Sequence, residues 1–250
     1  MSKRGWVRPV TETILRQSVL VTAAVLAYFG IRGLTEGDVA LADSNARRVL
    51  DLELTLGLDL EQGMQDLVLR NELLIDLANW VYIWGHWPVL IGTLVWLVLA
   101  HRDSFYELRN AIFLSGAIGL VIFALFPVSP PRLLSQEYVD TVTEQSNAYR
   151  VLQPPGLINK YAAVPSLHFG WNLLVGIYWY RLGSRWPARV AGFAVPAAMG
   201  LAVVATANHW VIDTVAGAVV ALTGLALEFH RRRWWLGRSG SSAAQVSAGS

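Results

Sequence analysis

Read for polarity alone, the chain is a series of long apolar runs separated by short charged connections. Stretches free of Asp, Glu, Lys and Arg run over 17–31, 77–100, 110–131, 161–180, 190–212 and 214–227. A helix needs about 20 residues, with roughly 17 to 25 tolerated, to cross a hydrocarbon core about 30 Å thick. The first run reaches that length only when extended through Arg32 to Leu34, and the last two are separated by Asp213 alone. Joined, those two are too long for one crossing, so the chain must fold back. "TANHW" marks the turn, since Thr206 and Asn208 are good helix N-caps, and His209 then opens the sixth helix. Residues 38–72 read as short amphipathic helices on the outer surface. Among them "DSNARRVLDLELTLG" ends at Gly57, although Glu53 and the Leu run interrupt its period. The expected fold is all-α: a polytopic membrane protein with six transmembrane helices and short amphipathic outer-surface helices.

Composition agrees. Apolar residues make up 54% of the 250 and charged residues 15%, against about one quarter in an ordinary soluble domain. No Cys is present, which excludes disulfides and thiolate chemistry. The expected organisation is a cytoplasmic N-terminus over 1–17, one membrane domain over 18–230, and a basic, then disordered, tail over 231–250. The tail "LGRSGSSAAQVSAGS" is rich in Gly, Ser and Ala. Lys3, Arg4, Arg8 and Arg16 precede the first run as they would in a secretory signal, but "YFGIRGLTEGD" offers no small-x-small cleavage site, so the run reads as a retained anchor. With the N-terminus inside, 13 Lys and Arg fall on the inner side and 7 on the outer, while 4 Asp and Glu fall inside and 14 outside. Basic residues inside is the expected bias. Both termini are therefore expected in the cytoplasm.

That topology gathers three unusual stretches at the outer face: "FPVSPPRLL" leaving the third helix, "YAAVPSLHFG" entering the fourth and "NHWVID" entering the sixth. Each has an ordinary explanation when taken singly. Arg132 can snorkel to the head groups, His168 can be a satisfied histidine near a helix start, and His209 with Asp213 can be a capping pair. Together they place two His, one Asp and one Arg at one depth, where ionisable groups are costly and usually face a cavity or a partner. A carboxylate one helical turn from an imidazole can accept its ring N–H, fix its tautomer and leave the other nitrogen nucleophilic. A second His can act as general acid. Arg132 supplies a fork matched to phosphate oxygens, and Ser166 with the backbone N–H groups after Pro165 makes an anion cradle. This is a constellation for phosphoryl transfer.

"PSLH" at 165–168, "HWVID" at 209–213 and "PPRLL" at 130–134 resemble the three signature motifs of the type 2 phosphatidic acid phosphatase superfamily, in particular its inositol phosphorylceramide synthase-like branch. The resemblance spans roughly 35–230 and includes "NWVYIWGHWP" on the second helix and "NKYAAVPSLH". It implies a six-helix membrane enzyme without metal or other cofactor, in which His209 attacks phosphorus to give a phosphohistidine. Asp213 would orient His209, and His168 would protonate the leaving oxygen and then activate the acceptor. Arg132, Ser166 and Lys160 would bind substrate phosphate, and Tyr82, His86 and Asn208 could line a head-group pocket. Alone, His86 reads as packed among Trp84 and Trp87.

The chain departs from the fuller phosphatase pattern. That pattern has a Lys seven residues before the motif Arg and an Arg six before the attacking His; here those positions are Leu125 and Val203, and Leu167 replaces a Gly. A phosphomonoester carries about −1.5 to −2 charges at neutral pH, so a site with fewer cations suits a phosphodiester, unless Lys160 or Arg150 compensates. The expected activity is transfer of a phosphorylated head group between lipid or polyol carriers at the outer membrane face. Alternatives are lipid phosphate hydrolysis, an intramembrane metalloenzyme using two His and one Asp, and a non-catalytic lipid-binding or transport protein. A membrane lipid is the expected partner, and nucleic acid is not.

Overall fold

The computed structural model describes residues 38–145 and 160–248, with a few positions between 15 and 26. The first apolar run and Arg150 lie essentially outside that range. Helices in chain order are α1 (Val39–Leu56), α2 (Glu61–Leu69), α3 (Glu72–Trp84), α4 (Trp87–Ala100), α5 (Arg102–Leu125), α6 (Pro131–Leu134), α7 (Thr141–Gln145), α8 (Leu167–Leu182), α9 (Trp186–Ala205) and α10 (Val211–Ala248). The described residues contain no strand, only an isolated bridge pairing Val128 with Ala162.

The all-α membrane architecture is as the polarity pattern predicts. Among the described residues, α5, α9 and the first 24 residues of α10 are long and apolar enough to cross a membrane, and α3 with α4 makes a further candidate crossing bent by 43°. Charge-free runs mark hydrocarbon rather than helix, so several boundaries move. Helix α5 starts at Arg102 rather than 110, because charged residues at a span's end still continue the helix. The second expected span, 77–100, is two helices. Gly85 ends α3, and Pro88 sits in the first turn of α4, where its missing N–H costs nothing. Helix α8 begins at Leu167 rather than 161 because Tyr161–Ala163 pairs with Val128 and the chain bends at Val164 and Pro165 before the helix starts. The α-helical backbone of α10 continues to Ala248 through the stretch read as disordered. A helix already nucleated in the span propagates there without a second nucleation cost.

Helix α1 is the amphipathic helix the sequence predicts. Asp38 caps it by accepting the Leu41 N–H, and Gly57 closes it in the left-handed conformation (φ 66°). Its buried stripe is Ala42, Asn45, Ala46, Val49 and Glu53. The irregular Glu53 thus lies on the buried side.

Helix α8 is central, packing on α9 and α10, and it does so through glycines. A Cβ on Gly176 would lie 2.2 Å from Gly192 O of α9, and one on Gly170 would lie 2.5 Å from Gly217 O of α10. Small residues at crossings let backbones approach where lipid supplies no hydrophobic drive between helices. One apolar cluster, including Leu97, Leu108, Leu174 and Tyr178, fills the centre. Another, with Ala46, Val49, Val128, Ala163 and Trp210, ties α1 to the connections at the site.

Candidate active site

Backbone hydrogen bonds knit the three motif stretches together. Val128 N–H donates to Tyr161 O (2.8 Å), Ala163 N–H to Val128 O (3.2 Å), Arg132 N–H to Ala207 O (3.1 Å) and Ser166 N–H to Asp213 O (2.9 Å). Trp210, fully buried, wedges between them and donates its indole N–H to Ser129 O (3.0 Å).

His209 does not open a helix. Helix α9 ends at Ala205, Ala207 adopts the left-handed conformation (φ 52°), and α10 starts only at Val211. The Asn208 and His209 N–H groups both donate to Val203 O (3.1 and 3.0 Å), so the last turn of α9 fixes the turn backbone. Asn208 is not the N-cap of α10: its amide donates to Thr206 O and Oγ1. Asp213 reaches back instead, its Oδ2 accepting the Trp210 N–H (2.8 Å).

The His209 ring is buried. Its Nδ1 lies 2.8 Å from Ala163 O and 3.3 Å from Asp213 Oδ2. Both neighbours are acceptors, so Nδ1 carries the proton and Nε2 keeps its lone pair. Asp213 Oδ1 is buried and accepts nothing.

His168 lies one residue into α8, behind the N-cap Ser166. Its ring stacks on Tyr82 at 4.8 Å, stands 6.0 Å from the His209 ring and lies 4.3 Å from His86. His86 occupies the break between α3 and α4 and also stacks on Trp171 (5.7 Å) and meets Trp87 edge-on (5.0 Å). One of the two readings of His86 put it among Trp84 and Trp87; its ring partners are Trp87, Trp171 and His168. Asn172 links the two histidines, its Nδ2 donating to His168 O (2.8 Å) and lying 3.2 Å from His86 Nδ1. An amide nitrogen has one N–H for each, so His86 Nδ1 accepts and Nε2 bears the ring proton.

The expected phosphate ligands are placed unequally. Arg132 is largely buried, within electrostatic reach of His209, but its Nε pairs with Asp140 Oδ2 at 3.2 Å. It also lines an open cleft of about 560 Å³ with Leu133, Tyr138 and Asp140, and the histidines do not line that cleft. Ser166 Oγ is buried and occupied in capping α8 through the Phe169 N–H. Lys160 is exposed. Of the two substituted cation positions, Leu125 is 78% exposed on the outside of the bundle and Val203 is fully buried in its core. Leu167 fits because its side chain lies against Gly119 of α5.

Four residues escaped the sequence reading. Asn172 had a signal, as a polar residue one turn beyond His168 in an apolar helix. Trp210 had none beyond its size. Glu53 and Glu61 are buried, and they cap α10: Glu61 Oε1 accepts the Val211 N–H and Glu53 Oε1 the Ile212 N–H, both at 2.7 Å. Burial above all, and then the neighbouring Glu61, push Glu53 up to about 9 against the pull of the Ile212 N–H. Burial and the Glu61 charge likewise push Tyr138 up to about 12.

The arrangement presents a buried imidazole with one nitrogen held as donor, a second imidazole about 6 Å away and a partly committed guanidinium. Such a set can form and break bonds to phosphorus. No three His, Cys, Asp or Glu among the described residues are grouped as metal ligands.

A model of the PAP2 superfamily matches residues 47–227, which is most of the chain and includes all three motifs. The protein is a PAP2 superfamily member. The crystal structure of Aquifex aeolicus LpxE shares its fold, with a TM-score of 0.53 at 16% identity, over 69% of this chain and 94% of that one. No curated protein matches the chain. Membership makes it a multi-pass membrane enzyme of the phosphatase or phosphotransferase type.

Proposed function

We propose that this PAP2 protein transfers a phosphorylated head group between lipid or polyol carriers through a phosphohistidine on His209, on the pattern of the inositol phosphorylceramide synthase-like branch. His209 Nε2 attacks phosphorus, a P–N bond forms, and the bond from phosphorus to the leaving oxygen breaks. His168 gives its proton to that oxygen. An acceptor hydroxyl then loses its proton to His168 and attacks the phosphohistidine, forming the new P–O bond and freeing His209. Asp213 and Ala163 O hold the His209 ring proton and stabilise positive charge on the ring as it develops. Arg132 binds the phosphate, and Tyr82 and His86 border the head group. The site faces the extracytoplasmic side, with both termini in the cytoplasm.

The observation that carries the choice of transfer is the thin supply of cations. Leu125 and Val203 replace two of them, and Arg132 already shares its charge with Asp140. A diester with about one negative charge suits that field better than a monoester. The test is to incubate enzyme in lipid with a panel of labelled phospholipids and lipid phosphates and to identify the products. Labelled head groups should move between carriers with little inorganic phosphate released. Rapid release of inorganic phosphate from lipid monophosphates or diphosphates, without exchange, refutes transfer and favours the phosphatase.

A further inference from the structure

The two buried glutamates are not part of the three motif stretches, yet they hold the chain where His209 turns into α10. A helix start leaves its first N–H groups without partners. In α10, Val211 N–H goes to Glu61 of α2 and Ile212 N–H to Glu53 of α1, while Trp210 N–H goes to Asp213 within the turn itself. Two helices outside the spans thus supply the caps, from more than a hundred residues away in sequence. Neither carboxylate has a cation with which it forms an ion pair among the described residues. Glu53 Oε2 is fully buried and has no donor to accept from. Glu61, itself a buried carboxylate, is its neighbour, since the two side chains accept from the consecutive N–H groups of Val211 and Ile212. Two carboxylates in contact away from water are stable only with a proton between them.

We propose that Glu53 and Glu61 are positioning residues that share one proton and through it clamp the His209 turn to helices α1 and α2. The clamp consists of a neutral acid and a carboxylate at the positive end of α10, so the helix terminus meets about one negative charge from the pair. The charged and titratable groups facing it are Asp213 of α10 and Tyr138 of the α6–α7 connection. Loss of the shared proton sets three carboxylates, Glu53, Glu61 and Asp213, against one another beneath His209. Their repulsion opens the caps and frees the turn.

The direction with pH follows. Glu53 is raised in the fold from an ordinary 4.5 to about 9, so its contribution to stability is complete below 4.5, declines as pH rises, and is fully lost above about 9. Near neutrality the proton is still bound and the clamp is closed. The effect on catalysis rests on His209 being the attacking group; the existence of the shared proton does not.

Two measurements test the proposal. The first is the pH dependence of kcat and KM for wild type, Glu53→Gln and Glu53→Leu. Gln keeps an oxygen for the Ile212 N–H and an N–H for Glu61, and it has no proton to lose. Wild-type kcat should fall as pH passes about 9, and Glu53→Gln should lack that limb while turning over at neutral pH. Glu53→Leu strands the Ile212 N–H and lets the His209 turn shift, and should lose about tenfold or more in kcat at neutral pH, with KM little changed. A Glu53→Gln profile that keeps the alkaline limb, or a Glu53→Leu kcat equal to wild type, overturns the proposal. The second is infrared spectroscopy of the protein in lipid without substrate. With Asp213→Asn as the background, which removes the other buried acid beside the pair, a protonated carboxyl absorption should persist at pH 7 and be missing once Glu53→Gln is added. Its absence in that background, or its survival after the addition, overturns the shared proton even if a variant folds poorly. Full activity of His209→Ala would instead overturn the function proposed above and leave the infrared result standing.

Discussion

Gly217→Ala is a one-methyl change one turn along α10 from Asp213, where the helix crosses the backbone of Ser166, yet it should cost most of the turnover. A Cβ at 217 would lie 2.2 Å from Ser166 O. Reaching even 3.0 Å requires α8 and α10 to part by about 0.8 Å, and backbone stands on both sides of the clash. Ser166 O accepts the Gly170 N–H (3.0 Å) in the first turn of α8, and Ser166 N–H is bound to Asp213 O. The displacement therefore passes to His168, two residues along α8, and to Asp213, one turn back on α10. The two imidazoles, 6.0 Å apart, are carried by the two helices that the clash drives apart, His168 within α8 and His209 just before α10. A misplacement of about 1 Å at reacting groups costs on the order of 100-fold, equivalent to about 2.7 kcal/mol of barrier. The assay is kcat and KM for labelled head-group transfer in lipid, with thermal unfolding alongside. Glycine positions with open space give the control. A Cβ on Gly63 of α2 meets nothing within 4 Å, so Gly63→Ala should raise stability by about 0.5–1 kcal/mol and leave the site geometry alone. A Gly217→Ala kcat within about threefold of wild type would refute the claim that this crossing sets the histidine spacing.

The assigned roles make further predictions. His209→Ala should abolish turnover, whereas Asp213→Asn should lose about 10²- to 10⁴-fold but keep a measurable rate, because Ala163 O still holds the Nδ1 proton; quantification of acid-labile phosphoenzyme separates the two. His168→Ala should cost most with poor leaving groups, since a good one needs little protonation, and equal loss across a leaving-group series counts against the general acid. Reporters fused in the 135–160 loop should report the extracytoplasmic side, and a cytoplasmic signal there reverses the topology.

How much of this could be read from sequence depended on whether the signal was local. Chemistry concentrated in short motifs was legible: "PSLH", "HWVID" and "PPRLL" each carry ionisable or Pro-stiffened positions in apolar surroundings, and the structure brings all three stretches together. The amphipathic α1 was legible with its Gly57 stop, because a helix that buries one face must repeat near 3.6 residues. Boundaries were less so. A charge-free run records where lipid is and not where hydrogen bonding stops, so the break at Gly85–His86 disappeared inside a run of 24 positions without Asp, Glu, Lys or Arg. His209 was placed at the opening of a helix because Thr206 and Asn208 are good N-caps. Asp213 reaches it from the first turn of α10 while His209 stays in the turn before; the spacing is the same, and the backbone differs.

The glutamates show a harder limit, and also what the fold requires of the amphipathic helices. Glu53 interrupts the apolar stripe of α1, and an interruption in a periodic pattern reads as noise when its partner is 159 residues away. The physical constraint becomes visible only from the other end. Helix α10 begins beside a buried imidazole, so Ser or Thr caps drawn from the local sequence would have to share the space occupied by "HWV". Long side chains from elsewhere can reach those N–H groups without occupying that turn. Glutamates suit the task, since each has the reach to enter from another helix and the pair keeps about one negative charge that complements a helix start. Their burial requires a proton, and that proton connects the His209 turn to pH. On this argument α1 and α2 form one wall of the active site, and substitutions on their buried faces should act on the rate at His209 before they act on lipid binding.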